Sequence, residues 1–244
     1  MVKISKPKDI EIIGKEWDNI AKKREELIDL KKDLSLEYVT KPCILRNLKE
    51  SNSKRVVDLG CGSGYLTHEI SKVVDECWGI DQSIRSISIA KTKYSSSNLH
   101  FIASSIKMYE FPKKVDTCVA NMVFMGDPQW QDSISHLYGE LPFGGRLLFT
   151  ITHPCFWPKY WNYDNELWFD YCTETYIEAD FTISLEKSFG ITTHIHRPLS
   201  QYINDLITVG FSIEKLEEPR PISEMPKEYE NDYPRFLFIS CKKQ

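Results

Sequence analysis

The feature that most constrains the fold is a glycine-rich segment, VVDLGCGSGYL, at residues 56–66. Its first residues form an apolar run that ends at Asp58, and such runs are typical of buried parallel strands. Glycines follow at positions 60, 62 and 64, where they permit a tight turn and a close approach of the backbone to a ligand. A helical spacing of apolar residues comes next. The segment therefore predicts a strand, a turn and a helix at the ligand-binding edge of an open α/β sheet.

The spacing of the glycines indicates which ligand this turn binds. A dinucleotide-binding loop has the pattern G-x-G-x-x-G, but here the third glycine is Gly64, and Tyr65 stands where that pattern needs glycine. The stretch DLGCGSG instead resembles the first motif of class I S-adenosylmethionine (SAM)-dependent methyltransferases. The resemblance implies that SAM is the cofactor and that the first motif contacts it through Asp58, Gly60, Cys61, Gly62 and Gly64.

Later segments carry the same resemblance. WGID ends at Asp81, 21 residues after Gly60, and an acidic side chain there can accept two hydrogen bonds from ribose hydroxyls. HFIASSI resembles the third-strand motif, with Ser104 where the family often has an aspartate that meets the adenine amino group. VDTCVANM resembles the fourth motif, and LPFGGRLL resembles the turn before the fifth strand. The resemblance implies further cofactor contacts at Gln82, Ser83, Ser104, Ser105, Ile106 and Asn121.

Strands and helices alternate around these motifs. Strands are predicted at 55–59, 76–80, 99–103, 115–121 and 146–152, and helices at 64–73, 83–94 and 129–140. This alternation predicts a doubly wound α/β fold, with a mostly parallel seven-stranded sheet and helices on both faces. The sheet is completed by a helix at 199–209 and strands at 211–217 and 236–241. Two N-terminal helices are predicted at 9–34 and 42–48.

An aromatic segment interrupts the alternation after the fifth strand. Residues 154–190 hold 11 of the 30 aromatic residues, with seven acidic and two basic side chains. The aromatic residues form either a hydrophobic core or a water-excluding lid that holds a flat or cationic molecule. The acidic balance favours a cationic or amine-bearing acceptor. We therefore divide the chain into an N-terminal helical cap (1–50), a SAM-binding core (51–153), a cap insertion (154–196) and a C-terminal completion of the core (197–244).

Histidines supply the candidates for acid–base chemistry. His153 follows the predicted fifth strand at the ligand edge of the sheet, where a neutral imidazole can take a proton near pH 7 or bond the backbone or a substrate oxygen. His194 and His196 are two residues apart and face the same side if they lie on a strand. We expect His153 and His196 to be catalytic and to point at the methyl group, and Trp17, Tyr38 and His194 to contact the acceptor. No spacing of carboxylates or cysteines completes a metal site, so no metal is expected.

Composition argues against several other classes of protein. The net charge is −4 and no basic stripe is present, which disfavours nucleic acid as a partner. Asn121 and Phe124 match the ends of the [DN]-P-P-[YF] sequence of DNA-base methyltransferases, but both prolines are missing. The seven cysteines form no C-x-x-C pair, so we expect reduced thiols in a cytoplasmic protein. No apolar run reaches the length of a membrane span, and the first 25 residues have no signal-peptide core.

Together these features predict a SAM-dependent methyltransferase that transfers a methyl group to an oxygen or nitrogen atom of a small molecule by in-line displacement. We expect a monomer or a homodimer. Three alternatives stay open at this point. They are a methyltransferase for RNA or protein, an NAD(P)-dependent oxidoreductase, and a SAM-binding module without catalysis.

Overall fold

The computed structural model of the chain describes residues 2–112, 115–183, 186–226 and 232–244. The strands are β1 (Lys3–Ile4), β2 (Arg55–Leu59), β3 (Glu76–Asp81), β4 (Leu99–Ala103), β5 (Thr117–Asn121), β6 (Arg146–Thr152), β7 (Thr175–Asp180), β8 (Ile191–His196), β9 (Phe211–Glu217) and β10 (Phe236–Lys243). The α-helices are α1 (Ile10–Asp29), α2 (Lys41–Glu50), α3 (Tyr65–Ser71), α4 (Ile84–Lys93), α5 (Trp130–Glu140), α6 (Trp157–Tyr160) and α7 (Leu199–Val209).

The central sheet confirms the predicted fold class. Its seven strands lie in the order β4-β3-β2-β5-β6-β10-β9. The first five are parallel, and β10 runs antiparallel to both of its neighbours. The chain moves outward from β2 to β4 and then returns to β5 on the other side of β2. This reversal opens a crevice at the carboxyl ends of β2 and β5, where ligands of open α/β sheets bind.

The sheet is buried on both faces because helices cover each of them. On one face, α5 and α7 pack on a cluster that includes Val57, Trp130 and Phe149. On the other face, α2, α3 and α4 pack on a cluster that includes Val56 and Phe238. Neighbouring residues of one strand therefore enter different cores, which explains why the strands are continuous apolar runs.

The insertion folds with the N-terminus into a second, small sheet. Strands β7 and β8 form an antiparallel pair, and β1 pairs with β7. The sequence did not predict β1 or β7, because β1 has two residues and the alternation in β7 lies within an aromatic-rich segment. The N-terminal cap and the insertion are thus joined by backbone hydrogen bonds.

Helix α1 lies between the small sheet and the core, in contact with β8 and α4. It begins after Asp9, whose carboxylate accepts a hydrogen bond from the backbone N–H of Ile12. The predicted helix through residue 34 is wrong at its end, because Lys31 adopts a left-handed conformation with φ of 54°. A π-helical segment (Leu36–Thr40) then leads into α2. No helix in the described ranges combines the length and apolar character that crossing a membrane requires.

Candidate active site

A cavity of about 310 Å³ opens at the carboxyl edge of the central sheet. One wall consists of the turns that follow β2, β3, β4 and β5. The opposite wall consists of α1, α6 and the small sheet, so side chains from both sheets meet across the cavity. The cavity lies at the strand reversal, the position that the topology favours for a ligand.

The glycine-rich turn after β2 depends on the absence of side chains. Gly60, Gly62 and Gly64 have φ values of 64°, 56° and 85°, a region that residues with a Cβ rarely adopt. A Cβ on Gly60 would lie 2.6 Å from a methyl carbon of Val123, and one on Gly64 would lie 2.7 Å from the Phe101 ring. Gly64 also begins α3. The turn therefore brings its backbone to the cavity edge, where Gly60 and Gly62 line the wall.

Asp81 connects the turns after β2 and β3. Its carboxylate accepts hydrogen bonds from the backbone N–H groups of Gly62 (2.9 Å) and Ser83 (2.8 Å). Burial raises the pKa of Asp81, and these two hydrogen bonds oppose the rise. The carboxylate therefore holds the loop and faces the cavity at once.

The predicted adenine residues lie side by side in the cavity wall, namely Gln82, Ser83, Ser104, Ser105 and Ile106. The Ser104 backbone N–H donates to the Asp81 carbonyl at 3.0 Å, which joins the ends of β3 and β4. Asn121, at the end of β5, also lines the cavity, and its side-chain oxygen accepts a hydrogen bond from Thr150.

The other three residues of the first motif do not line the main cavity. Asp58 and Cys61 line an adjoining space of about 30 Å³. Asp58 accepts a hydrogen bond from Thr67 at 2.7 Å, and burial raises its pKa to about 7. Gly64 lines neither space and shapes the turn instead. The implied contacts of Asp58, Cys61 and Gly64 with the cofactor stay a prediction.

Neither of the two histidines that were expected to be catalytic, His153 and His196, lines the cavity, and their role stays a prediction. The His153 Nε2 atom lies 3.2 Å from Glu218 Oε1. Its neighbour Thr152 faces the cavity, and successive strand residues point to opposite sides. The His196 Nε2 atom lies 3.0 Å from the Tyr171 carbonyl, under the segment that precedes β7. Both imidazoles are therefore engaged elsewhere in the fold.

His194 is the predicted histidine that does line the cavity. Its Nδ1 atom lies 3.5 Å from Thr152 Oγ1. The rings of Trp161 and Trp157 lie 5.6 and 6.3 Å from the imidazole, centroid to centroid. Burial lowers the pKa of His194 to about 3. The imidazole is consequently neutral at physiological pH.

Of the two predicted aromatic contacts, one lies in the cavity and one does not. Trp17 on α1 lines the wall and packs edge-on against Phe181 at 5.3 Å. Tyr38 is half-buried in the apolar cluster around Trp157 and is absent from the wall. The expected contact of Tyr38 with an acceptor stays a prediction.

The sequence did not single out Arg24 as a site residue. This arginine lies on α1 and lines both cavities. Its Nη2 atom is 3.9 Å from Asp33, and its buried Nε has no hydrogen-bond partner among the described residues. The sequence did hold a signal for it, because Arg24 lies on the apolar stripe of Trp17, Ile20 and Leu27. A charged side chain on the buried face of a helix is costly unless a partner binds it, so its presence there indicates a functional role.

Among the residues that the structure describes, no group of three or more histidine, cysteine, aspartate or glutamate side chains is placed to hold a metal ion.

Comparison with known proteins identifies the fold. Residues 56–145 match the family profile described as a methyltransferase domain. A protein described as an S-adenosylmethionine-dependent methyltransferase from Listeria monocytogenes is 28% identical. Its structure superposes with a TM-score of 0.62 over 82% of this chain and 97% of that one. Magnesium protoporphyrin IX methyltransferase from Synechocystis, solved with bound S-adenosylhomocysteine, has a TM-score of 0.66 at 14% identity, covering 97% of this chain and 100% of that one.

Curated relatives match only the core. Malonyl-[acyl-carrier protein] O-methyltransferase from Bacillus cereus is 30% identical over 110 residues, 44% of this chain and 41% of that protein. The chain spans 41%, 40% and 51% of the first three curated relatives. The domain match at residues 56–145, the sheet order and the similarity to the Listeria structure together support a class I SAM-dependent methyltransferase.

Proposed function

We propose that the chain is an enzyme that transfers the methyl group of SAM to an oxygen or nitrogen atom of a small molecule. The observation that carries the proposal is the cavity at the strand reversal, with the Gly60–Gly62 turn on one side and the Asp81 carboxylate beside it. The structure neighbours with bound SAM or S-adenosylhomocysteine (SAH) support the choice of cofactor.

The residues of the core fit the parts of this cofactor. The turn from Gly60 to Gly62 would lie under the methionine part, and the Asp81 carboxylate would accept hydrogen bonds from the ribose hydroxyls. Adenine would lie between the turns after β3 and β4, near Gln82 and Ser105. The guanidinium of Arg24 is suited to the methionine carboxylate, since one of its nitrogens lies 3.4 Å from where a Gly62 Cβ would be.

These residues and their neighbours form what we call the cofactor half of the cavity, comprising Arg24, Gly60, Gly62, Asp81, Gln82, Ser83, Ser104, Ser105, Ile106 and Asn121. The acceptor half lies opposite and comprises Trp17, Thr152, Trp157, Tyr160, Trp161, His194, Arg235 and Phe236. Every residue of both halves lines the cavity.

This arrangement suits an in-line displacement. Bound SAM supplies a methyl group that its sulfonium already activates. The protein then has to align the nucleophile with the methyl carbon and exclude water, and such positioning accounts for much of the rate enhancement. In the acceptor half, aromatic rings exclude water, and His194 offers a ring nitrogen to the acceptor.

We place this activity in the cytoplasm. All seven cysteines are free thiols in the structure, which suits a reducing compartment. A small acceptor is in keeping with a cavity of about 310 Å³, whereas the relatives matched over the core alone do not define the acceptor.

Titration calorimetry with SAM, SAH and NAD tests the cofactor. We expect SAM and SAH to bind and NAD not to bind. Asp81→Ala should weaken SAH binding by about 1.5–3 kcal/mol, the range for hydrogen bonds to a charged group. Asp75→Ala, an exposed aspartate near the start of β3, serves as the matched control and should bind as the wild type does. Unchanged affinity in a folded Asp81→Ala protein would refute the assignment.

A further inference from the structure

Charged side chains of both signs line the cavity. Among the residues that the structure describes they are Arg24, Asp33, Asp81, Lys107, Asp127 and Arg235. Asp81 and Asp127 each accept two hydrogen bonds from groups of the protein. Lys107 and Arg235 each donate a hydrogen bond to another side chain. The remaining two charges both come from the N-terminal cap.

Arg24 and Asp33 face each other without a hydrogen bond between them. The Nη2 atom of Arg24 lies 3.9 Å from Oδ2 of Asp33, which is too far for a hydrogen bond. The backbone N–H of Leu36 donates to the other oxygen, Oδ1, at 3.0 Å and holds the carboxylate in place. Within the described ranges, no hydrogen bond to Oδ2 of Asp33 is found, and the buried Nε of Arg24 has no partner. Both side chains therefore keep bonding capacity for a ligand.

The pair lies beside the glycine-rich turn. A nitrogen of Arg24 is 3.4 Å from where a Cβ of Gly62 would be. Leu36, which binds Asp33, lines the main cavity and the adjoining space together with Gly60. A dinucleotide places its pyrophosphate at such a turn, where the carboxylate of Asp33 would repel it. A zwitterion, in contrast, offers a partner to each of the two charges.

From this geometry we propose that Asp33 binds the ammonium group of the methionine part of SAM, while Arg24 binds its carboxylate. The two groups share one carbon atom of the cofactor, and guanidinium groups are well suited to carboxylates. The inference rests on the methyltransferase function proposed above. It assigns a role to Asp33, a residue outside the sequence motifs.

Asp58 is another carboxylate near this turn. It lines the adjoining space and accepts a hydrogen bond from Thr67 at 2.7 Å. It is not part of the wall of the main cavity, whereas Asp33 is. The observations therefore favour Asp33, and the experiment has to distinguish the two aspartates.

The test measures how the full chain binds three ligands by titration calorimetry, with displacement titrations for weak binders. They are SAH, decarboxylated SAH, which keeps the ammonium group, and deaminated SAH, which keeps the carboxylate. Asp33→Asn removes the charge but retains an oxygen for the Leu36 N–H. We expect it to bind SAH and decarboxylated SAH about tenfold more weakly, because a hydrogen bond to a charged group is lost. Deaminated SAH should bind it at least as tightly as the wild type, because the carboxylate that repelled it is gone.

Arg24→Gln should give the crossed result. It should weaken SAH and deaminated SAH about tenfold and spare decarboxylated SAH. Asp9→Asn is the matched control for Asp33→Asn, because Asp9 also accepts a backbone N–H at a helix start but lies outside the cavity. Lys23→Gln is the control for Arg24→Gln, since Lys23 is on the same helix and exposed. Both controls should bind all three ligands as the wild type does.

The pattern across the ligands separates contact from folding. If Asp33→Asn weakened all three ligands equally, Asp33 would act through the fold of the turn, and the proposal would be overturned. A loss confined to the two ammonium-bearing ligands in Asp58→Asn, and absent in Asp33→Asn, would also overturn it. If SAH fails to bind the wild type, the methyltransferase function fails. If SAH binds and the crossed pattern is missing, this inference alone fails.

Discussion

The two halves of the cavity are built in different ways. The cofactor half consists mostly of backbone and short side chains from the turns that follow β2, β3 and β4, and Asp81 joins two of these turns through backbone N–H groups. The acceptor half consists of large side chains from α1, β6, α6, β8 and the start of β10. Backbone conformation therefore fixes the first half, whereas packing between distant segments fixes the second.

The two halves should differ in how well they tolerate amino-acid substitutions. A turn that requires positive φ values accepts almost no substitution. Aromatic residues that meet by packing can be exchanged for others of similar volume. We infer that the cofactor half is the constrained part of this site and the acceptor half the adjustable part. Substitutions in each half should therefore differ in size and in what they affect.

The largest effect is expected at Gly64, which shapes the glycine-rich turn next to the cofactor half. Gly64→Ala places a Cβ 2.7 Å from the Phe101 ring and 2.9 Å from Ala90, at a φ of 85°. Strain and overpacking together should cost about 3 kcal/mol or more of the free energy of unfolding. Chemical denaturation measures this loss, and SAH binding should weaken with it.

Gly139 provides the matched control for that substitution. It lies in α5, and a Cβ there would meet no atom within 4 Å. Gly139→Ala should therefore stabilise the protein by about 0.5–1 kcal/mol through helix propensity. If both variants lost stability equally, the constraint assigned to the glycine-rich turn would be wrong.

The same difference explains what the sequence could predict. The sheet, and the position of the glycine-rich turn and Asp81 at its carboxyl edge, were predicted because each depends on contiguous residues: an apolar run, glycines at fixed spacing, and an acid at a strand end. The acceptor half was predicted poorly because its members meet only after folding. His194 was grouped with His196 as a strand pair. The segment near Tyr171 covers His196, however, whereas His194 lies in the cavity wall. Spacing alone does not say which residue a distant segment will cover.

A second, smaller effect is expected where the insertion meets the core. Arg197 is buried and donates to the carbonyls of Phe124 and Asp127 and to the Glu174 carboxylate. It thereby positions the loop after β5, whose residues Met125 and Asp127 line the cavity. This one guanidinium holds three acceptors that come from two segments.

Arg197→Lys keeps the charge but loses the fork of donors, so buried carbonyls lose partners. We expect a loss of about 1–3 kcal/mol of unfolding free energy, with acceptor binding weakened more than SAH binding. Arg146→Lys, in a partly exposed pair with Glu214, should change stability by less than about 1 kcal/mol. If Arg197→Lys left acceptor binding unchanged, its role in positioning the loop after β5 would be refuted.

The smallest effect is a pH dependence with opposite sign in the two parts of the site. Burial raises the pKa of Asp58, beneath the cofactor half, to about 7 from an ordinary 3.8. Its contribution to stability is complete below the unfolded pKa and is lost as the pH rises through 7. Burial lowers the pKa of His194 to about 3 from 6.5. Its contribution is complete above 6.5 and is lost as the pH falls below that value.

Between pH 6 and pH 8 the two groups therefore act against each other, each by about 1 kcal/mol. In the ligand-free wild type, Asp58 lowers the free energy of unfolding as the pH rises, and Asp58→Asn removes this decrease. The stability of Asp58→Asn relative to the wild type should therefore rise with pH. His194 raises the free energy of unfolding of the wild type as the pH rises, and His194→Asn removes this increase. The stability of His194→Asn relative to the wild type should therefore fall with pH. Denaturant midpoints of the three proteins at pH 6, 7 and 8 measure both slopes. Parallel pH profiles for the three proteins would contradict the buried state assigned to Asp58 and His194, whereas relative slopes of opposite sign would show that both groups titrate differently in the folded and unfolded states.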